Sequence, residues 1–254
     1  MKTLRSMKIV DFLQDKKYCS IKELLDHFDV SPATIHRDVC DLARRKLIQK
    51  VRGGIAIVQD SPAQKAQPAI AGFAARIENN VAQKTVIAEK AVASIRDDDA
   101  VFLDSSTTSL HLAQRIQKAH FSRLTMITNS VLIMQEFHRF PSHFYLISLG
   151  GNFSSQLNSF LGKAAIEHLR RLRVSKAFVS GVGITQEGLF TYHEGHAEFL
   201  QEVLSVSEEN CLLLDSSKFN RAGSFSICPL SSIDVMFSDA TPPEYVRQNM
   251  EVCV

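Results

Sequence analysis

The sequence Ser31-Pro32-Ala33-Thr34-Ile35-His36-Arg37-Asp38-Val39 decides the fold of the N-terminal part of the chain. Ser31 is a favoured helix N-cap, and Pro32 suits the first helical position because its missing amide would have no partner there. The stretch therefore predicts a helix that begins at Pro32 after a tight turn.

One face of that helix is apolar and the opposite face is basic. Ile35, Val39 and Leu42 recur at the spacing of about 3.6 residues per turn that forms a buried stripe. The opposite face then carries Ala33, Arg37, Cys40 and Arg44. An arginine in the middle of an exposed helix face suits DNA, because arginine can bind guanine through paired hydrogen bonds in the major groove.

The flanking residues complete a winged helix-turn-helix. Residues 4–13 have a helical period, and Ser20-Ile21-Lys22-Glu23 has the form of a capping box that starts a second helix. Beyond the third helix, residues 47–51 and 55–58 predict short strands, joined by Arg52-Gly53-Gly54 as the turn of a wing.

This module predicts a DNA interface along the third helix and the wing. Contacts to bases and phosphates are expected from the exposed helix face and from the basic wing tip. The candidate DNA-binding residues are Ser31, Ala33, Thr34, His36, Arg37, Arg44 and Arg52. The alternative is a winged helix that binds another protein and has no affinity for DNA.

Charge is distributed unevenly along the chain, whose net charge is +2. Residues 1–57 contain 12 Lys and Arg against 7 Asp and Glu, a balance of +5, which leaves −3 for the rest. A basic module joined to a neutral or acidic domain fits nucleic-acid binding, although solvated surface charge alone can produce the same pattern.

The remaining chain predicts a separate α/β domain. Residues 59–78, where Ser61-Pro62 and Gln67-Pro68 interrupt any regular period, are expected to link domain 1–58 to domain 79–254. Helix-like segments then alternate with short apolar runs, which is typical of a largely parallel sheet. The predicted strands are Ala100–Asp104, Leu124–Thr128, Phe144–Leu149, Ala177–Ser180, Cys211–Asp215 and Val235–Phe237.

Small and polar residues follow these apolar runs. Because ligands bind beyond the carboxyl ends of parallel strands, such residues form the candidate effector site. Asp104 is followed by Ser105-Ser106-Thr107-Thr108 and an amphipathic helix, whose hydroxyls, amides and positive end can hold an anion such as phosphate. Ordinary N-capping by one hydroxyl is the alternative. Lys218 either neutralises a phosphate at this edge or is a solvated surface lysine.

The same edge supplies further candidates. Glycine pairs permit close approach of a ligand, but they also form ordinary turns. The full set of candidate effector-binding residues is Asp104, Ser105, Ser106, Thr107, Thr108, Thr128, Asn129, Gly150, Gly151, Gly181, Gly183 and Lys218.

Motifs in both halves resemble the DeoR family of sugar-metabolism regulators. In the N-terminal module these are Arg5, Ile9, residues 31–39, Leu42 and Arg52-Gly53-Gly54. In the second domain the following appear in family order: Arg76, Asn80, Lys84, Ile87-Ala88, Asp104–Thr108, Thr128-Asn129-Ser130, Gly150-Gly151, Gly181-Val182-Gly183 and Asp215-Ser216-Ser217-Lys218. The resemblance implies a repressor of a carbohydrate operon, regulated by a phosphorylated sugar that binds a domain related in fold to ribose-5-phosphate isomerase.

Two positions depart from the family pattern. His36-Arg37 stand where the family usually has two arginines, so the base preference of a relative does not carry over. Ser106 stands where the family commonly has glycine, which puts the identity of the effector in doubt.

Other sequence features set the expected class. No run approaches the roughly 18 apolar residues that span a bilayer, and the first residues lack an apolar signal region, so a soluble cytoplasmic protein is expected. The five cysteines have no metal or disulfide spacing. In His193-Glu194-Gly195-His196 the spacing of the histidines and the glycine argue against a zinc site. Neither a cofactor nor a metal is expected.

The expected partners are double-stranded operator DNA, a phosphorylated sugar effector and further copies of the chain. A homodimer or tetramer is expected because helix-turn-helix proteins usually bind paired half-sites. The competing function is a sugar-phosphate isomerase with a fused DNA-binding module. That reaction needs a positioned carboxylate base, for which Asp104, Glu194 and Asp215 are candidates, but no paired acidic motif of the isomerase kind is present.

Overall fold

The computed structural model describes residues 2–28, 30–44, 47–51, 53–57 and 73–254, which fall into two compact units, Met1–Asn79 and Asn80–Val254. Of the predicted linker 59–78, residues 59–72 lie outside the described residues and residues 73–78 form a helix. That helix packs on the first helix of the chain, within the N-terminal unit.

The N-terminal unit is a winged helix-turn-helix. Its helices are α1 (Lys2–Lys16), α2 (Ile21–His27), α3 (Pro32–Arg44) and α4 (Phe73–Glu78). Its strands are β1 (Tyr18–Cys19), β2 (Ile48–Val51) and β3 (Gly54–Ile57), which form an antiparallel sheet in the order β1-β3-β2. Strand β1 was not predicted, because two residues after a helix carry no period.

Local sequence fixes where these helices start. Ser20 and Glu23 form the predicted capping box, in which Ser20 Oγ accepts from the Glu23 amide at 3.1 Å and a Glu23 carboxylate oxygen accepts from the Ser20 amide at 2.8 Å. Ile35, Val39 and Leu42 on α3 are buried as expected. They join one apolar core with Ile9, Leu13, Cys19, Leu24, Ile48 and Ile55.

The second unit is built around a parallel sheet. Its helices are α5 (Val81–Val92), α6 (Thr107–Ile116), α7 (Val131–Glu136), α8 (Lys163–Leu169), α9 (Glu194–Val206) and α10 (Glu244–Arg247). The strands of the main sheet are β4 (Ala100–Leu103), β5 (Leu124–Thr128), β6 (Phe144–Ser148), β9 (Val174–Val179), β12 (Ser207–Leu213), β14 (Val235–Phe237) and β15 (Glu251–Cys253).

The order of the seven strands places the candidate site. They run β15-β14-β12-β9-β4-β5-β6, and each pair of neighbours is parallel. The chain builds β4, β5 and β6 outward in one direction and then returns to place β9 on the other side of β4. The order thus reverses between β4 and β9, and this is the position at which open α/β sheets bind ligands.

Two small antiparallel additions were not predicted from the sequence. Strands β7 (Asn152–Ser154) and β8 (Ser159–Leu161) form a hairpin after β6. Strands β10 (Gly183–Thr185), β11 (Gly188–Thr191) and β13 (Phe225–Cys228) form a separate three-stranded sheet. In the part of the chain described here, no helix is long and apolar enough to cross a membrane.

Candidate functional site

The outward face of α3 carries the residues predicted to contact DNA. Ser31, Ala33, His36, Arg37 and Arg44 are exposed. Among the described residues, no acidic side chain pairs with Arg37, so its guanidinium keeps its donors available. Arg44 lies 3.3 Å from Asp41 across one helical turn, but its side chain is 79% exposed.

Two of the predicted DNA contacts also start the helix. The Thr34 amide donates to Ser31 Oγ at 3.4 Å, and the two hydroxyl oxygens lie 2.9 Å apart. Ser31 is exposed and Thr34 is half-buried. Capping thus explains both residue types without DNA, while leaving Ser31 on the accessible surface.

An ion pair that was not predicted attaches the buried face of α3 to α1. Asp38 on α3 is fully buried, and one of its carboxylate oxygens pairs with the Arg5 guanidinium of α1. Both Arg5 and Asp38 were noticed only as parts of a family motif. In the sequence, the signal for this pair was an acidic residue, Asp38, next to the apolar stripe of α3. Its partner, Arg5, is evident only from the fold.

The wing approaches the same helix. Arg52 at its tip lies outside the described residues. Lys50 on β2 is exposed, and its Nζ lies 3.2 Å from the Cys40 Sγ on the outward face of α3. Gly53 in the turn has a φ of +88°, the left-handed region that glycine adopts without strain.

At the edge of the main sheet, Asp104 holds two loops together. One carboxylate oxygen accepts from the Ser106 amide at 2.9 Å and the Ser109 hydroxyl at 2.6 Å, while the other accepts from the Ser180 amide at 2.7 Å. Burial raises the pKa of the Asp104 carboxyl, and these hydrogen bonds oppose the rise. Asp104 therefore joins the segments that follow β4 and β9, on either side of the switch point.

The hydroxyl-rich loop has divided roles. Ser106 Oγ caps α6 by accepting from the Ser109 amide at 3.0 Å, which is the ordinary capping alternative. Replacing a serine N-cap with glycine costs only a few tenths of a kcal/mol, so either residue can cap α6. The presence of Ser106 is therefore explained without a ligand contact. Ser105 and Thr107 are buried, and Thr108 Oγ1 is a buried oxygen with no hydrogen-bond partner among the described residues.

Lys218 supplies positive charge close to the switch point. Its Nζ lies 3.4 Å from Ser180 Oγ and 3.6 Å from Asp215 Oδ2. Burial acts to raise the pKa of Asp215, but the Lys218 ammonium and hydrogen bonds from Ser217 and Asn80 outweigh it and leave the pKa below its usual value. The segments after β4, β9 and β12 are thus connected through Asp104, Ser180 and Lys218.

Asn80 belongs to this group of contacts, although its role was not predicted. Its side-chain amide donates to Asp215 Oδ1 and Ser217 Oγ, both at 3.1 Å. Asn80 is exposed, whereas Lys84, one turn further along α5, is buried. Burial lowers the pKa of His111 on α6, and the charges of Lys84 and Arg115 lower it further. Asn80 and Lys84 were noticed only as matches to a family motif.

The segment after β5 is tied to its neighbours. Thr128 Oγ1 donates to the Leu103 carbonyl at 2.6 Å, and the Asn129 amide donates to Ser159 Oγ at 2.7 Å and the Phe160 carbonyl at 3.1 Å. These bonds anchor β4 and the β7–β8 hairpin. Asn129 Oδ1 is buried and has no partner among the described residues.

The glycines lie against protein backbone or at the sheet margin. A Cβ at Gly181 would lie 2.8 Å from the Phe190 carbonyl, and one at Gly183 would lie 2.1 Å from the Arg221 carbonyl. Gly151 is similarly close to the Leu161 carbonyl, at 2.5 Å, whereas Gly150 is open. Gly150 and Gly151 follow the edge strand β6, which β5 separates from β4.

The histidines of residues 193–196 lie at the start of α9. His193 is the N-cap, and His196 Nδ1 lies 3.1 Å from Thr191 Oγ1. Nowhere in the described ranges do three or more His, Cys, Asp or Glu side chains group as metal ligands would.

Comparison with known proteins covers both units. The DeoR-like helix-turn-helix domain matches residues 5–61, and the DeoR C terminal sensor domain matches residues 79–240. The chain is 28% identical to the glycerol-3-phosphate regulon repressor of Escherichia coli (strain K12), over 97% of this chain and 94% of that one. It is 30% identical to the lactose phosphotransferase system repressor of Lactococcus lactis subsp. lactis, over 87% and 84% of the two chains.

A solved structure of ribose 5-phosphate isomerase A from Methanocaldococcus jannaschii is similar with a TM-score of 0.37 and 19% identity, over 54% of this chain and 53% of that chain. So distant a similarity carries no information about activity. The family matches and the relatives are transcriptional regulators, so the isomerase alternative is rejected. Because its helix-turn-helix and sensor domains both match in order, the chain belongs to the DeoR family of DNA-binding transcriptional regulators.

Proposed function

We propose that this regulator represses a carbohydrate-metabolism operon and that a phosphorylated sugar, bound at the switch point of the sensor sheet, changes its affinity for operator DNA. Thr108 carries the effector part of the proposal. Its hydroxyl oxygen is buried without a partner among the described residues, and it lies in the first turn of α6. Such a group costs about 1–3 kcal/mol when it is left unsatisfied, and a ligand oxygen would remove that cost.

Charge at the same edge favours an anionic ligand. The N-terminal end of α6 carries the partial positive charge of the helix dipole, and Lys218 adds an ammonium that reaches Ser180 after β9. Both oxygens of Asp104 accept hydrogen bonds from the protein, so this carboxylate holds the loops together and is not assigned a ligand contact. We therefore assign phosphate recognition to Thr107, Thr108 and Lys218.

The direction of regulation follows the relatives. Both relatives described above are named as repressors, one of the glycerol-3-phosphate regulon and one of the lactose phosphotransferase system. We infer a cytoplasmic homodimer or tetramer that binds paired half-sites through residues 31–44 and the wing. In this scheme residues 1–58 bind DNA, residues 79–254 sense the effector, and residues 59–78 connect them, their last part forming α4 against α1 in the N-terminal unit.

A thermal-shift screen tests the sensor. The full chain is heated with glycerol 3-phosphate and a panel of sugar phosphates, each beside its unphosphorylated counterpart. A ligand that binds only the folded protein raises its melting temperature. We therefore expect a phosphorylated compound to raise the melting temperature and its unphosphorylated counterpart to leave it unchanged. Thr107→Ala and Lys218→Ala should lose the shift and keep binding to upstream DNA. A full shift in both variants would refute the assigned site.

Binding and reporter measurements test the DNA half. Arg37→Ala should lose salt-dependent binding to the DNA upstream of the gene, and unchanged binding across a salt series would refute the assigned face of α3. A reporter driven by the regulated promoter should rise when the gene is deleted. A fall would identify an activator and contradict repression.

A further inference from the structure

The wing places a lysine beside the DNA-reading helix. In β2 the buried Ile48 and the exposed Lys50 lie on the same side of the strand, since side chains alternate along it. Ile48 belongs to the core shared with α3, and the Lys50 amine accordingly reaches α3, where its Nζ is 3.2 Å from the Cys40 Sγ.

The position of Cys40 shows which face of α3 the Lys50 amine contacts. It is exposed on α3, three residues after Arg37 and four before Arg44, so it lies between these arginines on the same helix face. The Lys50 ammonium therefore lies on the face assigned to DNA, although it comes from a strand rather than from the helix.

The charge of Lys50 remains available to a ligand. Within the described ranges, no carboxylate pairs with Lys50, in contrast to Arg44, which contacts Asp41. A thiol is a weak hydrogen-bond acceptor, and a lysine ammonium has three donors. Cys40 can thus position the amine without neutralising it.

We propose, resting on the DNA binding proposed above for α3, that Lys50 is a DNA contact and that its ammonium binds a backbone phosphate beside the groove entered by α3. Residues in the N-terminal part of a recognition helix contact base edges, whereas Lys50 lies beside Cys40 in the C-terminal half of this 13-residue helix. A compact charge on a flexible stem also suits a phosphate better than the planar edge of a base.

Titrations of the full chain with two DNA duplexes test this role. One duplex carries the sequence upstream of the gene and the other the same bases in scrambled order, each over a series of salt concentrations. Lys50→Met should weaken binding to both duplexes by a similar factor of about ten, and should reduce the slope of log K against log salt by about one. Lys50→Arg, which keeps the charge, should bind within about two-fold of the natural chain. A natural chain that binds neither test duplex would contradict the proposed function, whereas the Lys50 variants test this contact alone.

A matched charge removal serves as the control. Lys163 on the sensor unit is 89% exposed, and Lys163→Met should leave both affinities and the salt slope unchanged. Lys50→Gln is a second variant, in case Lys50→Met misfolds, and circular dichroism checks its fold. It should show the same loss of DNA affinity as Lys50→Met. Unchanged affinity and slope in Lys50→Gln would overturn the proposal. A loss confined to the upstream duplex would overturn the phosphate assignment, because it would indicate contact with a base.

Discussion

The side-chain amide of Asn80 lies 3.1 Å from Asp215 Oδ1, and so joins the first residue of the sensor unit to the segment after β12 that carries Lys218. Asn80 has a φ of 53°, in the left-handed region. The residue thus combines a hydrogen-bonding side chain with a backbone conformation that few other residues accept.

Two substitutions of Asn80 separate these properties. Asn80→Gly keeps the backbone conformation and removes the hydrogen bonds, so it should lower the free energy of unfolding by about 1 kcal/mol. Asn80→Ala should cost about 1 kcal/mol more, because a Cβ is strained at positive φ. Urea unfolding measures both. Asp98→Gly, at another position with a left-handed backbone, measures the effect that glycine has on the free energy of unfolding by itself. Equal costs for the alanine and glycine variants of Asn80 would contradict the strain.

The Arg5–Asp38 pair should be needed to hold α3. Arg5→Met leaves a fully buried carboxylate unpaired and should destabilise the N-terminal unit by about 2–3 kcal/mol. The loss is somewhat smaller than that expected from breaking a fully buried pair, because Arg5 is partly exposed. Arg5→Met combined with Asp38→Leu should recover at least about 1 kcal/mol, since no buried charge remains. Thermal unfolding of the variants measures this. A double variant no more stable than Arg5→Met would refute the explanation.

Thr108 and Ser109 should respond in opposite ways. Ser109 Oγ donates to Asp104 at 2.6 Å, so Ser109→Ala should cost about 1–3 kcal/mol. Thr108→Val removes an oxygen without a described partner, so the ligand-free protein should be equally or more stable while the thermal shift given by a phosphorylated ligand falls. Destabilisation of the ligand-free protein by Thr108→Val would show that the oxygen already has a partner.

The glycines at the sheet edge should differ sharply in tolerance. Gly183→Ala would place a Cβ 2.1 Å from the Arg221 carbonyl, and should destabilise the sensor unit by about 2 kcal/mol. Gly150→Ala meets no atom within 4 Å and should change stability by less than about 0.5 kcal/mol. Melting temperatures of the two variants make the comparison. Similar melting temperatures would contradict the close backbone approach at Gly183.

Thiol labelling should modify Cys40 fastest, because Cys253 is only partly exposed and burial raises the pKa of its thiol. Cys40 is exposed, whereas burial raises the pKa of Cys19 to about 11 and that of Cys228 to about 12, which leaves little thiolate at pH 8. A disulfide reagent should therefore react rapidly with the native protein and slowly with Cys40→Ser. Upstream DNA should slow the reaction of Cys40 if α3 enters the groove. Equal labelling rates with and without bound DNA would contradict that placement.

Sequence patterns were sufficient where neighbours along the chain determine the structure. The capping box at Ser20 and the helix start at Pro32 depend on residues within one turn, and both are confirmed. The apolar runs likewise predicted six strands of the main sheet, because the part of a parallel strand that is buried on both faces is apolar. The first residues of β9 and β12, which include polar side chains, were missed.

The patterns were insufficient where distant residues set a role. Asp104 was predicted as part of a phosphate cradle, yet its hydrogen bonds go to Ser106, Ser109 and Ser180. Gly183 was predicted to admit a ligand, yet the backbone of Arg221 occupies the space where its side chain would be. Ser180 lies 76 positions from Asp104, and Arg221 is also far from Gly183 along the chain, so no local period or motif reports these two contacts.

At the switch point, the residues that hold the loop after β4 in shape differ from those to which we assign the effector. Asp104 and Ser109 satisfy each other, whereas Thr107, Thr108 and Lys218 can change without breaking that bond. A regulator that binds its effector as proposed can change its ligand by point mutation while the framework of the site is inherited intact. Ser106 caps α6 beside the residues assigned to the effector, so its exchange with glycine would be a nearly neutral step for stability that opens space next to the proposed site.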